Sequence, residues 1–249
     1  MTERVAVITG ASAGIGAATA AALAGEGFRL ILGARRLDRL RRVAEPLGAA
    51  AHPLDVTDPQ SISDFCRAVD RVDLLVNNAG VALGLDPIAG ADDAQWEAMY
   101  RTNVLGVVRM TRELLPRLEE VRGHVVVVGS TAGFETYPGG GGYTASKHAL
   151  RAVTRTLRQE LLGHPVRVTE ICPGLVDTEF SHVRFAGDRE RAELVYRGMQ
   201  PLVGADVAEC IRWAASLPPH VNVDEIVVRP RDQASVREVH RRSPDAGSR

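Results

Sequence analysis

Of the 30 lysine and arginine residues in this sequence one is a lysine, Lys147, which leaves 29 arginines at every other basic position. An ammonium is a compact point charge with a movable pKa, whereas a guanidinium is a planar fork that stays charged. Lys147 closes the stretch Tyr143-Thr144-Ala145-Ser146-Lys147, four residues after a tyrosine. An Ala/Leu/Arg-rich run follows, so the stretch predicts a helix start with phenol and amine one turn apart on one face. An ammonium there would lower the phenol from about 10 and poise it for proton transfer near neutral pH. The plain alternative is an accidental pair on an amphipathic helix.

Asparagine is scarce as well. The chain has four asparagines, Asn77, Asn78, Asn103 and Asn222. Two of them open Asn77-Asn78-Ala79-Gly80, at the carboxyl end of a predicted strand, where open α/β sheets bind ligands. Asn103 falls inside a helical pattern from about Asp92 to Leu118, where an amide is a poor helix former and competes for backbone hydrogen bonds. It marks either nothing or a kink with a purpose. Ser130 follows the predicted strand His124 to Val128, and the loop Phe134 to Gly142 brings the chain on to Tyr143. Ser130 and Tyr143 can therefore converge on one crevice. With no G-x-S-x-G and no partner histidine, Ser130 reads as a hydrogen-bonding group rather than a nucleophile.

The elements that must position these residues alternate as strand and helix. Val5 to Thr9 is a continuously apolar strand of the kind buried on both faces of a parallel sheet. It runs into Thr9-Gly10-Ala11-Ser12-Ala13-Gly14-Ile15-Gly16 and an Ala-rich helix to about Gly25. Gly10 would permit the tight turn, Gly14 the approach of a phosphate, and Gly16 close helix packing, with a pyrophosphate on the helix N-terminus. The spacing is G-x3-G-x-G, and the competing reading is a structural turn. A second strand, Arg29 to Ala34, ends in Arg35-Arg36 where an acid would hold a free ribose 2′-hydroxyl. Two arginines suit a 2′-phosphate, and hence NADP(H), unless they only open a solvated helix. Further strands are expected at Ala50 to Leu54, Asp73 to Val76, Val166 to Ile171 and Glu225 to Arg229, and helices at Tyr143 to Leu162 and Ala205 to Leu217. The segment Glu179 to Met199 breaks this rhythm and reads as a lid. Residues 231–249 form a polar, arginine-rich tail expected to be loosely ordered.

A chain of 249 residues, 45% of them hydrophobic, fits one large α/β domain. The net charge of −1 gives no electrostatic case for nucleic acid or a membrane surface. Cys66, Cys172 and Cys210 have neither metal-ligand nor CxxC spacing, so no metal is expected and the thiols point to a reducing, cytoplasmic setting. The sequence has no apolar run of membrane-spanning length.

Together these residues resemble the short-chain dehydrogenase/reductase family over about residues 4 to 230. Thr9-Gly10-x3-Gly14-x-Gly16 is similar to its cofactor loop and Asn77-Asn78-Ala79-Gly80 to its central motif. Asn103, Ser130, Tyr143 and Lys147 match its catalytic tetrad, and Pro173-Gly174 with Thr178 the segment flanking the nicotinamide. The resemblance implies one domain, residues 1–230, with a doubly wound seven-stranded parallel sheet and helices on both faces. It implies hydride transfer between NADP(H) and a small-molecule alcohol or carbonyl. Tyr143 would be the general acid/base, Lys147 would lower its pKa and hold the nicotinamide ribose, Ser130 the substrate oxygen, and Asn103 a relay water. Cofactor contacts would come from Gly10, Ser12, Gly14, Ile15, Gly16, Asn77, Ala79, Gly80, Pro173, Gly174, Val176 and Thr178. Asp55 and Val56 would meet the adenine, and Arg35 and Arg36 the 2′-phosphate. Relatives pair helices such as Asp92 to Leu118 and Tyr143 to Leu162, whose exposed faces are expected to carry Leu105, Val108, Leu115, Leu150 and Leu157, into homodimers or homotetramers.

A narrower resemblance rests on Gly129-Ser130-Thr131-Ala132-Gly133, Thr178-Glu179-Phe180-Ser181-x-Val183-Arg184-Phe185-x-Gly187-Asp188 and Leu217-Pro218-x-His220-Val221-Asn222. These are similar to the branch oxidising 3-hydroxy acids such as serine and allo-threonine, which implies Phe180, Arg184 and Phe185 with Ser130 and Tyr143 around the substrate. Arg184 would either face inward and hold a carboxylate or face outward as one more solvated arginine. The end, Glu225-Ile226-Val227-Val228-Arg229-Pro230, is instead similar to the clavulanate-forming reductases. Reduction of a neutral aldehyde or ketone is the alternative activity, and a non-catalytic NADP-binding regulator the alternative class.

Overall fold

Short runs of four to seven residues, most of them apolar and too short to be helices, form the centre of the molecule, as expected for strands covered on both faces. In the computed structural model, which describes residues 3–242, these runs build a seven-stranded parallel sheet. Its strands are β1 (Val5–Thr9), β2 (Arg29–Ala34), β3 (Ala50–Pro53), β4 (Leu74–Asn77), β5 (His124–Val128), β6 (Arg167–Pro173) and, last in the chain, β9 (Glu225–Val228), in the order β3-β2-β1-β4-β5-β6-β9. The chain winds outward from β1 to β3 and then returns to place β4 on the other side of β1. That reversal opens a crevice at the carboxyl ends of β1 and β4.

Alternation of side chains sorts the core into two layers. Val5 and Val7 of β1, Leu75 of β4, and Val125 and Val127 of β5 face one way. They pack on α3 (Pro59–Arg67), α5 (Gly106–Val121) and α6 (Gly141–Glu160) through Phe65, Leu114 and Leu150. Ala6, Ile8, Val76 and Val126 face the opposite way, onto α1 (Gly14–Gly25), α2 (Leu37–Ala44) and α9 (Gly204–Ser216) through Leu23, Leu40 and Ile211. Leu150, expected on an exposed assembly face, is thus a core residue; the amphipathic stripe of α6 turns it to the sheet.

Three further departures matter. The helix expected from Asp92 to Leu118 is broken into α4 (Asp93–Tyr100) and α5 by a π turn at Arg101–Leu105, with Asn103 inside it. The helix expected from Tyr143 begins at Gly141, so Tyr143 stands in its first turn. Other element ends move by a residue or two from those expected.

The segment expected to form a lid holds α7 (Glu179–Arg184) and α8 (Arg189–Leu194). It is tied at its base by β7 (Val176–Asp177) pairing with β8 (Leu202–Val203). The expected looseness beyond Arg231 does not hold for residues 231–242. The Gln233 side chain accepts a hydrogen bond from Leu175 N (2.8 Å). Asp232 Oδ2 accepts one from Gln200 N (3.1 Å), and Arg242 N donates to Gly198 O (2.7 Å). Polar composition concealed a segment held by specific hydrogen bonds. Residues 243–249 of the expected tail lie outside the described residues.

Candidate active site

The carboxyl ends of β1 and β4 are laced together. Thr9 Oγ1 accepts from Asn78 N and Ala79 N, each at 3.0 Å, and Asn78 Nδ2 donates to Thr9 O (2.9 Å) and Gly10 O (3.2 Å). Gly16 packs beneath this knot, where a Cβ would come within 2.5 Å of Asn78 Nδ2. Gly14 turns with φ +56°, and a Cβ there would press on Thr178 at 3.3 Å. α1 then starts without a side-chain cap, whereas α3, α4 and α8 are capped by Asp58, Asp92 and Asp188. Its first-turn amides are left for an anionic ligand.

Beyond this knot lies a cavity of about 680 Å³. Its walls include the expected Gly10, Ser12, Gly14, Ile15, Arg35, Arg36, Asp55, Val56, Ala79, Gly80, Pro173, Gly174, Val176 and Thr178. Ser130, Tyr143, Lys147, Phe180, Arg184 and Phe185 line the same space. Three expected residues do not. Gly16 sits under the loop, and Asn77, last on β4, turns to α5 and donates to Thr111 Oγ1 (3.0 Å). Asn103 is buried and clamps the chain after β4: Oδ1 accepts from Val81 N (2.8 Å), and Nδ2 donates to Val81 O and Ser146 Oγ (2.9 Å each).

Lys147 is buried, and its Nζ donates to Val128 O at 2.9 Å. It lies 5.9 Å from the centre of the Tyr143 ring. Burial brings the ammonium down to about 8, against the pull of Glu170. The phenol does not follow the expected direction. Burial pushes Tyr143 up, and what draws it back is hydrogen bonding with Ser130 and the charge of Arg184 rather than Lys147. For a hydroxyl this buried, the cost of an unhydrated phenolate outweighs the pull of Ser130 and Arg184.

Arg184 faces inward. Its Nε donates to Gly84 O (3.2 Å), while Gly84 N donates back to Arg184 O, also at 3.2 Å. The guanidinium carbon lies 5.4 Å from the Tyr137 ring centre and 5.6 Å from that of Tyr143. Its Nη2 is buried without a hydrogen-bond partner among the described residues. Phe180 meets Tyr143 edge-on at 5.7 Å.

Sequence reasoning missed Tyr137, Tyr196 and Gln233 as cavity walls. Rarity was again the available signal for the tyrosines: the chain has four, and three of them line this cavity. Gln233 had none. Also unforeseen is the buried Glu170, whose ligand atoms with those of Cys172 and Glu225 lie within 4.8 Å of one another. Arg151 already donates twice to Glu225, at 3.0 and 2.7 Å.

This geometry agrees with a family comparison: the short chain dehydrogenase model matches residues 4–188. The chain belongs to the short-chain dehydrogenase/reductase family. An uncharacterized oxidoreductase of Mycobacterium tuberculosis is 57% identical to this short-chain dehydrogenase over 234 residues, covering 94% of this chain and 93% of the relative. The NADP-dependent 3-hydroxy acid dehydrogenase YdfG of Escherichia coli is 40% identical over 238 residues, covering 92% and 96% respectively. The closed form of a serine dehydrogenase complexed with NADP+ superposes with a TM-score of 0.90 at 39% identity, covering 96% of this chain and all of that one. An alcohol dehydrogenase from the archaeon Thermococcus sibiricus, complexed with 5-hydroxy-NADP, gives 0.82 at 34% identity, with 93% and 98% covered.

Proposed function

We propose that this short-chain dehydrogenase is an NADP(H)-dependent oxidoreductase that interconverts a small 3-hydroxy acid and its carbonyl counterpart. The cofactor reading is supported by the uncapped start of α1, the cradle at Gly14 and Thr178, and Ser12, Arg35 and Arg36 on one wall. It is supported equally by the NADP named in relatives that span almost the whole chain. Hydride exchange at the substrate carbon is the chemistry that a bound nicotinamide supplies.

This chain's own residues handle the proton. Tyr143 gives it to, or takes it from, the substrate oxygen, which Ser130 holds by hydrogen bonding. Lys147 spends one of its three donor hydrogens on Val128 O, leaving two for ribose hydroxyls and the approach to Tyr143. Asn103 has both N–H groups committed, so its part is to fix Val81 and Ser146 around the site. A relay water would have to be met by something other than those N–H groups.

The observation that carries the substrate class is Arg184. Its Nε is anchored on Gly84 O and its Nη2 is buried without a partner beside Tyr143, a placement suited to a carboxylate. Comparison of a 3-hydroxy acid with its methyl ester, in unmodified and Arg184→Ala protein, tests it. The free acid should be preferred by at least about tenfold in kcat/KM, as a charged hydrogen-bonding pair supplies, and the preference should vanish in the variant. If the ester is used as well as the acid in both, the substrate is a neutral aldehyde or ketone.

We further propose a homodimer or homotetramer working in the cytoplasm. Half-buried Leu105, Val108, Leu115 and Leu157 on α5, α6 and the π turn support the assembly, and three free thiols the compartment. Among the described residues no helix is long and apolar enough to cross a membrane.

A further inference from the structure

The lid opens on Glu179, the residue after the Thr178 side chain that abuts the glycine loop. Its carboxylate crosses the mouth of the cleft to the turn between β2 and α2. There Oε2 accepts from Arg36 Nη1 at 2.8 Å, and Oε1 accepts from Arg39 Nη1 at 2.7 Å. Arg36 Nη2 also reaches Ser12 Oγ at 3.4 Å, and Ser12, Arg35, Arg36 and Glu179 line one wall of the same cavity. The three ion-pairing side chains are all 45–46% exposed, so a solvated anion can reach them. Arg36 and Arg39 hold the Glu179 carboxyl below its usual range, which keeps it an anion at neutral pH. The arginine best placed for a 2′-phosphate is therefore already paired with a carboxylate of the lid.

We infer that Glu179 is an internal anion that competes with the cofactor's 2′-phosphate for Arg36 and Arg39, and so holds down the affinity for the phosphorylated cofactor. The inference rests on the NADP(H) reading above. A phosphate monoester carries about 1.5–2 negative charges against one for the carboxylate, and offers three oxygens against two. It displaces Glu179 from at least one guanidinium, because like charges repel within one cluster. A cofactor lacking the 2′-phosphate offers Arg36 nothing in exchange. Glu179 is thereby a specificity-determining residue at a distance from the reacting atoms.

Calorimetric binding of 2′,5′-ADP and 5′-AMP to unmodified, Glu179→Gln and Glu179→Ala protein provides the test. Unmodified protein should bind 2′,5′-ADP more tightly than 5′-AMP. Each substitution should tighten 2′,5′-ADP by about threefold or more, the scale set by exposed ion pairs, and leave 5′-AMP unchanged. Unchanged or weaker 2′,5′-ADP binding in both variants overturns the competition. Failure of the unmodified protein to distinguish the two nucleotides has a different signature and overturns the NADP(H) reading along with it.

Discussion

Lys147 is the residue on which the chemistry can be tested most directly, because no other lysine obscures it. Its Nζ is buried and donates to Val128 O as a compact point charge, a contact that a planar guanidinium fork does not reproduce. Lys147→Arg should therefore lose roughly 10²–10⁴-fold in kcat, the scale of general acid/base help, while NADPH fluorescence still reports a folded, binding-competent protein. The single amine also makes its titration readable. In protein labelled with ¹³C at lysine Cε, one resonance should titrate near 8, the value to which burial brings the ammonium. Glu170, whose Oε1 is buried without a partner among the described residues, pulls that value upward. Removing its charge disfavours the ammonium, so Glu170→Gln should shift the titration to lower pH. An unmoved resonance would mean that Glu170 does not face Lys147 electrostatically. Tyr143 and Lys147 were legible because both are rare and their spacing is local. Glu170 was not, because its place under Gly129 arises from the register of β6 against β5.

The π turn between α4 and α5 gives the clearest lesson at the scale of elements. An asparagine in a helical pattern signalled a disturbance, but not which carbonyl and amide would use it. The wide turn carries Asn103 to the chain after β4, where it meets both polar groups of Val81 and the hydroxyl of Ser146. Asn103→Ala should cost about 1–3 kcal/mol for each buried group left unsatisfied, measured by urea unfolding, and lower kcat as well. A variant as stable as the parent would remove the clamp from the account. The order of the strands in the main sheet and of the helices between them was legible, since most of these strands are short apolar runs; α7, α8 and the pairing of β7 with β8 were not. The docking of residues 231–242 was not, because polar composition alone cannot distinguish a free tail from one whose Gln233 fits against Leu175.

At the scale of the molecule, the sheet buries one histidine at the end opposite the cavity. His124 opens β5, with Nε2 on Thr169 Oγ1 at 2.8 Å and Nδ1 without a partner among the described residues. Burial, with Arg167 adding to it, brings its pKa down to about 3 from 6.5. The unfolded chain takes up a proton below about 6.5 that the folded chain refuses, so this stability is present above 6.5 and is lost as pH falls towards 3. The slope is at most about 1.4 kcal/mol per pH unit. Between pH 7.5 and 5.5 the unmodified protein should lose about 1 kcal/mol more than His124→Asn in urea unfolding. Parallel losses in the two proteins would show that the ring is solvated.

A surface clothed in guanidinium groups is silent to reagents that attack amines. The α-amino group aside, the only amine this chain can offer lies at 5% exposure in the wall of the cavity. An acylating reagent small enough to enter would mark the enzyme once and silence it, and a ligand seated in the cavity would shield it.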